Sequence, residues 1–320
     1  MPVNSGKPKL WESDVAESVD LYNKWFMQFA PKAYRETRVG TTEQVKSALK
    51  LTKYLTNIAP EILKQNPAVL QILRMATAPP IARDRLIGLA DVSGNLVKNM
   101  EDLHRIPPKM KAPLVESQLQ KIGDVIYSLV DEDIIPWLNS DVPPTEAETY
   151  RAATIIADRL CGAVADPIIR NAQEKRQLAS IKSWLERHGY RYSNSNHDHD
   201  IYNFPSGTFS FRFNVSVKQH REEESVNIPV DVVVMPKSSK AGVLPILMEA
   251  KSAGDFTNTN KRRKEEATKM RQLRSTYGKE LRFVLFLCGY FNKPYLKYEA
   301  AEGIDWVWEH RIDDLEKLGL

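Results

Sequence analysis

Two strand-length apolar runs, residues 228–235 (IPVDVVVM) and 243–248 (VLPILM), carry charge where a buried strand should have none. The first holds Asp231, and the second runs straight into Glu249-Ala250-Lys251. Side chains alternate along a strand, so Glu249 and Lys251 share one face while Ala250 points to the other. Two carboxylates and an ammonium can therefore meet at one spot. Taking such groups out of water is costly unless they are paired or hold a metal. Two arrangements satisfy that demand. One is a structural ion pair of Lys251 with Asp231 or Glu249. The other is a hard-cation site, with Asp231 and Glu249 binding Mg²⁺ and Lys251 orienting or helping to deprotonate a water beside a phosphate.

The chain around this stretch has 320 residues, enough for two modest domains or one large one with a real core. With 42% hydrophobic and 27% charged residues it has the balance of an ordinary globular protein. Its net charge of +4 permits a nucleic-acid partner without requiring one, so local clustering has to carry that argument. Cys161 and Cys288 stand far apart, and neither has CxxC spacing. That argues against a disulfide framework or a zinc knuckle and fits a reducing compartment. The first residues lack a long apolar core, and no run of 18 or more apolar residues occurs, so a cytoplasmic protein, neither exported by that route nor membrane-spanning, is expected.

The first 165 residues read as an all-helical region. Apolar residues recur at helical spacing over 11–29, up to Pro31, and again over 42–55 and 60–75. Pro79-Pro80 opens a helix carrying Arg83-Asp84-Arg85. These charges form either a surface cluster or a place where Arg83 or Arg85 touches a phosphate or a guanine edge. Further helices are expected over 114–138 and 146–164, the second opened by a capping box of Thr145 and Glu148. Asp166-Pro167 reads as an N-cap and first helical position of another helix, reaching His188.

After Gly189 the texture changes. Residues 190–203 are polar and turn-rich; His197 and His199 could share a metal, but a solvated loop is the plainer reading. Phe209, Phe211, Phe213, Val215 and Val217 alternate as one half-buried strand face, and the acidic turn Glu222-Glu223-Glu224 leads into the strand of Asp231. A third strand is expected over 244–251, a helix over 258–277 with Ala267, Met270, Leu273 and Tyr277 inward, and a strand over 281–288 covered on both faces. A short aromatic segment over 304–308 and a last helix over 311–318 close the chain. Lys261-Arg262-Arg263-Lys264 fall in the first turn of the 258–277 helix, where the helix dipole disfavours cations. They are either a solvated run or, with Asn258 and Asn260, a site for DNA phosphates and base edges.

The order Asp, turn and strand, then Glu-x-Lys resembles that of the PD-(D/E)xK nucleases. Two blocks, PPIARDRLIGLA at 79–90 and LPILMEAKSAGDFTNTNKRRKEEATK at 244–269, resemble the type II restriction endonucleases of the XamI kind over most of the chain. That resemblance implies an α+β fold, a PD-(D/E)xK core of αβββαβ order with a mixed central sheet, behind a large helical region. It implies a helical DNA-clasping and dimerisation region over 1–165 and a nuclease domain over 166–320. It also implies Mg²⁺-dependent cutting of both strands of double-stranded DNA at a short palindrome, GTCGAC in the family, leaving 5′-phosphate ends. Asp231 and Glu249 would be metal ligands, Ala250 would offer its carbonyl, and Lys251 would be the catalytic lysine. Proline stands two residues before Asp231 rather than directly before it. A homodimer in a bacterial or archaeal cytoplasm is expected, with a cognate DNA methyltransferase acting on the same site without having to bind. A junction resolvase or repair nuclease on the same core, or a non-catalytic DNA-binding protein, are the alternatives.

Overall fold

The computed structural model describes residues 2–140, 142–194, 201–218, 225–240, 242–257 and 259–320; the side chains of 163–166, 203 and 259–262 also lie outside the description. His197, Asp198, His199, Asp200, the acidic turn 222–224 and Asn258 fall outside the described residues. The chain forms two compact units, one of Ala30–Ile168 and one of Met1–Phe29 with Ile169–Leu320. The division drawn from sequence at 165/166 assigns the first 29 residues differently.

In Ala30–Ile168 the described elements are helical. Helix α1 (Trp11–Leu51) contributes its second part, followed by α2 (Pro60–Gln65), α3 (Val69–Met75), α4 (Arg83–Ala90), α5 (Gly94–Leu103), α6 (Ala112–Ser128), a 3₁₀ turn at Pro136–Asn139 and the first part of α7 (Glu146–Arg187). Leu49, Leu63, Leu70, Leu73, Leu86, Leu96, Leu119 and Ile156 meet in its core. The Thr145–Glu148 capping box forms, with the Thr145 amide donating to Glu148 at 2.8 Å and the Glu148 amide donating to the Thr145 hydroxyl at 3.2 Å.

Proline punctuation did not fall as expected. Pro31 lies inside α1, and Pro167 lies inside α7 instead of opening a new helix. An internal proline removes one ladder hydrogen bond and costs about 3 kcal/mol. A helix of 41 or 42 residues has many turns on either side to offset that loss. Pro67 does interrupt: the expected 60–75 helix is split into α2 and α3. Helix α4 begins at Arg83, three residues beyond Pro80, and α5 was not foreseen.

The other unit is built on a six-stranded sheet in the order β1 (Arg191–Tyr192), β2 (Thr208–Lys218), β3 (Ser225–Val234), β4 (Ile246–Ala253), β5 (Arg282–Gly289), β6 (Asp305–Trp308). Strands β2, β3 and β4 are antiparallel neighbours, whereas β4, β5 and β6 run parallel. Parallel neighbours need a crossover, and α8 (Thr259–Tyr277) and α9 (Lys293–Ala301) supply the two. Neither β1 nor α9 was anticipated. The last helix is a 3₁₀ segment, Glu309–Leu318.

Leu247, Phe283, Leu285 and Leu287 pack with Met270 and Leu273 of α8 and Leu296 of α9. On the opposite face, Ile246, Met248, Val284 and Phe286 pack with Ile181, Trp184 and Leu185 of α7. Strand β5 is thus covered on both sides, which is why its sequence is continuously apolar. At its last residue, Gly289 adopts φ +100°, and a Cβ there would lie 2.2 Å from the Ala253 carbonyl oxygen, so only glycine fits.

The alternation of β2 is not uniform, contrary to expectation. Phe213, Val215 and Val217 join the α8 side, but Phe209 and Phe211 join the α7 side. The same change separates Val230 from Val232 on β3. Between them sits Arg212 at φ +51°, a left-handed residue that interrupts the pleat. Asp231 lies at this same level of the sheet, between the pairs Phe211↔Val232 and Phe213↔Val230.

Candidate active site

Backbone pairing between β3 and β4 ends at Val232↔Met248. One residue further, the Asp231 side chain takes over: its Oδ2 accepts the Ala250 N–H at 2.8 Å. Lys251 Nζ reaches Glu249 Oε1 at 3.1 Å. The structure therefore brings Asp231, Glu249, Ala250 and Lys251 together where the two strands part.

Four groups from α8 and α9 that sequence reasoning did not single out complete the cluster. Lys269 Nζ donates to Glu249 Oε2 at 2.6 Å and to the Pro229 carbonyl at 2.5 Å. Glu266 Oε1 lies 4.0 Å from Lys251 Nζ, and Tyr295 donates its hydroxyl to Glu266 Oε2 at 2.6 Å. Glu299 is buried beside Glu266. A signal for Glu266 was present: with Met270, Leu273 and Tyr277 it lies on one helical stripe, a charge among apolar residues. From α7, Gln177 donates to the carbonyls of Lys251 and Phe286, at 3.3 and 3.2 Å, and Ser252 donates to Gln173 at 2.9 Å. These bonds fix the β4 backbone around Lys251.

Burial, and then Glu249 nearby, push the Asp231 carboxyl up to about 6, against the Ala250 N–H and the two lysines. Burial pulls the Lys251 ammonium down, but Glu249 and Glu266 beside it outweigh this and leave it above its ordinary value. Burial pushes Glu266 up, with Lys251 opposing. Lys251 is therefore a cation in a pocket of carboxylates. Asp231 and Glu249 repel each other in a half-buried space, and a hard cation between them would relieve that repulsion. The donors there are all oxygens, as such a cation prefers. Among the described residues no group of three or more His, Cys, Asp or Glu side chains is arranged to hold a metal, so the fit is to two carboxylates completed by backbone and water.

The residues expected at DNA are more dispersed. Arg83 is engaged by Glu101 at 2.8 Å and Asp102 at 2.5 Å, and Glu101 also takes the buried Arg74. Arg85 is exposed on α4, in the helical unit. Arg263 lies over the Tyr298 ring, 4.9 Å from its centroid, and Lys264 is exposed on α8. Helix α8 has no acidic residue in its first turn. The side chains of Asn260, Lys261 and Arg262 lie outside the description. Among the described residues no helix is long and apolar enough to cross a membrane.

The chain is a restriction endonuclease, an enzyme that cuts DNA: residues 53–308 match the family model of the XamI restriction endonucleases, and the chain belongs to that family. It is similar to the type II restriction enzyme SalI of Streptomyces albus G, with 53% identity over 317 residues, 99% of each chain.

Proposed function

We propose that this type II restriction endonuclease cuts both strands of DNA at a palindrome of the GTCGAC kind, using a PD-(D/E)xK centre of Asp231, Glu249 and Lys251. The observation that carries the assignment is the meeting of Asp231 and Glu249 at the parting of β3 and β4, with Lys251 held on Glu249 at 3.1 Å. The order α7, β2, β3, β4, α8, β5 and the mixed sheet support the PD-(D/E)xK assignment.

Asp231, Glu249 and the Ala250 carbonyl would hold Mg²⁺, which when bound supplies Lewis-acid stabilisation of charge on the phosphate and the departing oxygen. Asp231 is steadied by the Ala250 N–H, so its carboxylate is pre-oriented. Lys251, a cation, faces the scissile phosphate and orients the attacking water there. Hydrolysis leaves 5′-phosphate and 3′-hydroxyl ends. Lys261, Arg262, Arg263 and Lys264, with Asn258 and Asn260, hold DNA phosphates and base edges; Arg83 and Arg85 are further candidates to touch DNA. A homodimer places one centre on each strand, and a cognate methyltransferase would protect the same site.

Plasmid DNA incubated with the protein and Mg²⁺ should give discrete fragments, and none when the cation is chelated. Asp231→Ala, Glu249→Ala and Lys251→Ala should each lower cleavage by about 10²-fold or more while retaining fold and DNA binding. Structure-dependent nicks in place of fragments would make the enzyme a resolvase or repair nuclease. Substantial cutting by Glu249→Ala would remove the proposed cation site. A parallel loss of thermal stability in all three would instead support a structural ion pair.

A further inference from the structure

Helix α8 carries a third carboxylate to Lys251. Glu266 is 2% exposed, and its Oε1 lies 4.0 Å from Lys251 Nζ. Its Oε2 is tied to α9 through the Tyr295 hydroxyl at 2.6 Å. Among the described residues Oε1 has no hydrogen-bond partner. A buried carboxylate is costly unless a cation or donors offset its charge. Glu299, buried beside it, is pushed up to about 9 by burial and by Glu266, so near neutral pH it is a neutral acid that can lend Glu266 a proton but no countercharge; the cation in reach is Lys251.

Lys251 has a complementary problem. Its ammonium is bonded to Glu249 Oε1, while Lys269 takes Oε2 of the same carboxylate. A divalent cation shared by Asp231 and Glu249 needs those oxygens, and its charge repels an ammonium held on them. Lys251 must then swing to another counter-charge or be left without a carboxylate partner in a half-buried pocket. Glu266 is within reach. Closing 4.0 Å to a hydrogen bond needs a shift of about 1 Å, which a flexible lysine stem with three rotatable donors can make.

We propose that Glu266 is a positioning residue for Lys251: it receives the ammonium when a divalent cation takes Glu249, and so holds Lys251 toward the phosphate. The idea rests on the reading of Asp231, Glu249 and Lys251 as the catalytic centre. It differs from a direct role for Glu266 as a cation ligand, because Glu266 would act only through the lysine.

Glu266→Gln keeps the shape and an acceptor for Tyr295 but removes the charge. In single-turnover cleavage with excess protein the rate should fall about 10- to 100-fold, the range typical of partners that orient an active-site group. DNA binding without Mg²⁺, the melting temperature and the calorimetric Mg²⁺ affinity with uncleavable DNA should stay unchanged. In a Lys251→Ala background Glu266→Gln should add nothing, since residues acting as one unit are not additive. Wild-type cleavage by Glu266→Gln, or a loss that multiplies with that of Lys251→Ala, would overturn the proposal. Weaker Mg²⁺ binding in both backgrounds would also overturn it, by making Glu266 a ligand. Should Glu266→Gln fail to fold, Tyr295→Phe, which frees Oε2 but keeps the carboxylate, should slow cleavage in the same direction with Lys251 present and not without it; a wild-type rate there counts against the proposal. If Lys251→Ala itself cuts like wild type, the catalytic reading fails, which is a different result from an inert Glu266.

Discussion

Glu299 and Asp231 show the same force with different consequences. Burial raises both, but Asp231 has an N–H and two lysines in opposition and reaches only about 6, whereas Glu299, with the Glu266 carboxylate adding to burial, reaches about 9. The ordinary value for Glu299 is 4.5. Between that and its folded value the folded chain keeps a proton that the unfolded chain releases, so this group's contribution to stability is full at low pH and is lost as pH rises through about 9. Glu299→Gln removes the dependence. Thermal melting at a series of pH values should show the variant matching wild type below about pH 4.5 and gaining on it steadily toward about pH 9. A gap that does not widen with pH would mean that Glu299 is ionised in the folded protein. At this scale the sequence was readable wherever a charge broke an apolar run, as at Asp231 and Glu249. It was unreadable at Lys269, whose partners Glu249 and the Pro229 carbonyl are 20 and 40 residues away in the chain.

Helix α8 joins two sides of the proposed chemistry. Its inner stripe packs on the sheet through Met270 and Leu273 and carries Glu266 to Lys251, while its first turn is basic with no acid to complement the dipole. Four cations at a helix N-terminus oppose the macrodipole by about 0.3–1 kcal/mol each at low salt, a cost that a bound anion would offset. Neutralising Lys261, Arg262, Arg263 and Lys264 together should weaken DNA binding and flatten its salt dependence. For every phosphate that these side chains no longer neutralise, the slope of log K against log salt should fall by about 0.9. An unchanged slope would leave the run as a solvated surface. A single arginine variant that loses discrimination more than affinity would mark a base contact. The elements themselves were legible where an apolar run or stripe was bounded by turn or polar residues, as in β4, β5 and α8. Proline positions misled because a proline forbids one hydrogen bond, not a helix, and packing along the rest of α1 and α7 decides whether the helix continues.

The proposed palindromic site has twofold symmetry, and each chain would carry one such centre of Asp231, Glu249 and Lys251, so cutting both strands in one event calls for two chains related by that symmetry. A homodimer on DNA is expected, with an isologous interface of about 1,000 Å² or more. By sequence, the aromatics Trp11, Trp25 and Phe26 are candidates for it, with core the plainer reading. Trp11 does pack on Trp306 at 5.5 Å within the core, and Trp25 lies between Phe29 at 5.0 Å and the Arg176 guanidinium at 4.7 Å, so within this unit both are engaged. Sedimentation with a short duplex carrying the site should give two chains per duplex. One chain per duplex, with the strands cut in separate steps, would rule out the dimer.

By itself the sequence determined the strand that carries Asp231, the strand that ends in Glu249-Ala250-Lys251, the basic start of α8 and the family resemblance, because each is local: alternation, spacing and composition within a few dozen residues. Only the tertiary structure decided that residues 1–29 pack with the sheet and that the pleat slips at Arg212. The same is true of Lys269, Glu266, Tyr295 and Glu299 joining the site. Those outcomes depend on which faces are brought together and on how much water is excluded when they meet, and burial together with a neighbouring carboxylate turns Glu299 into an acid that keeps its proton near neutral pH.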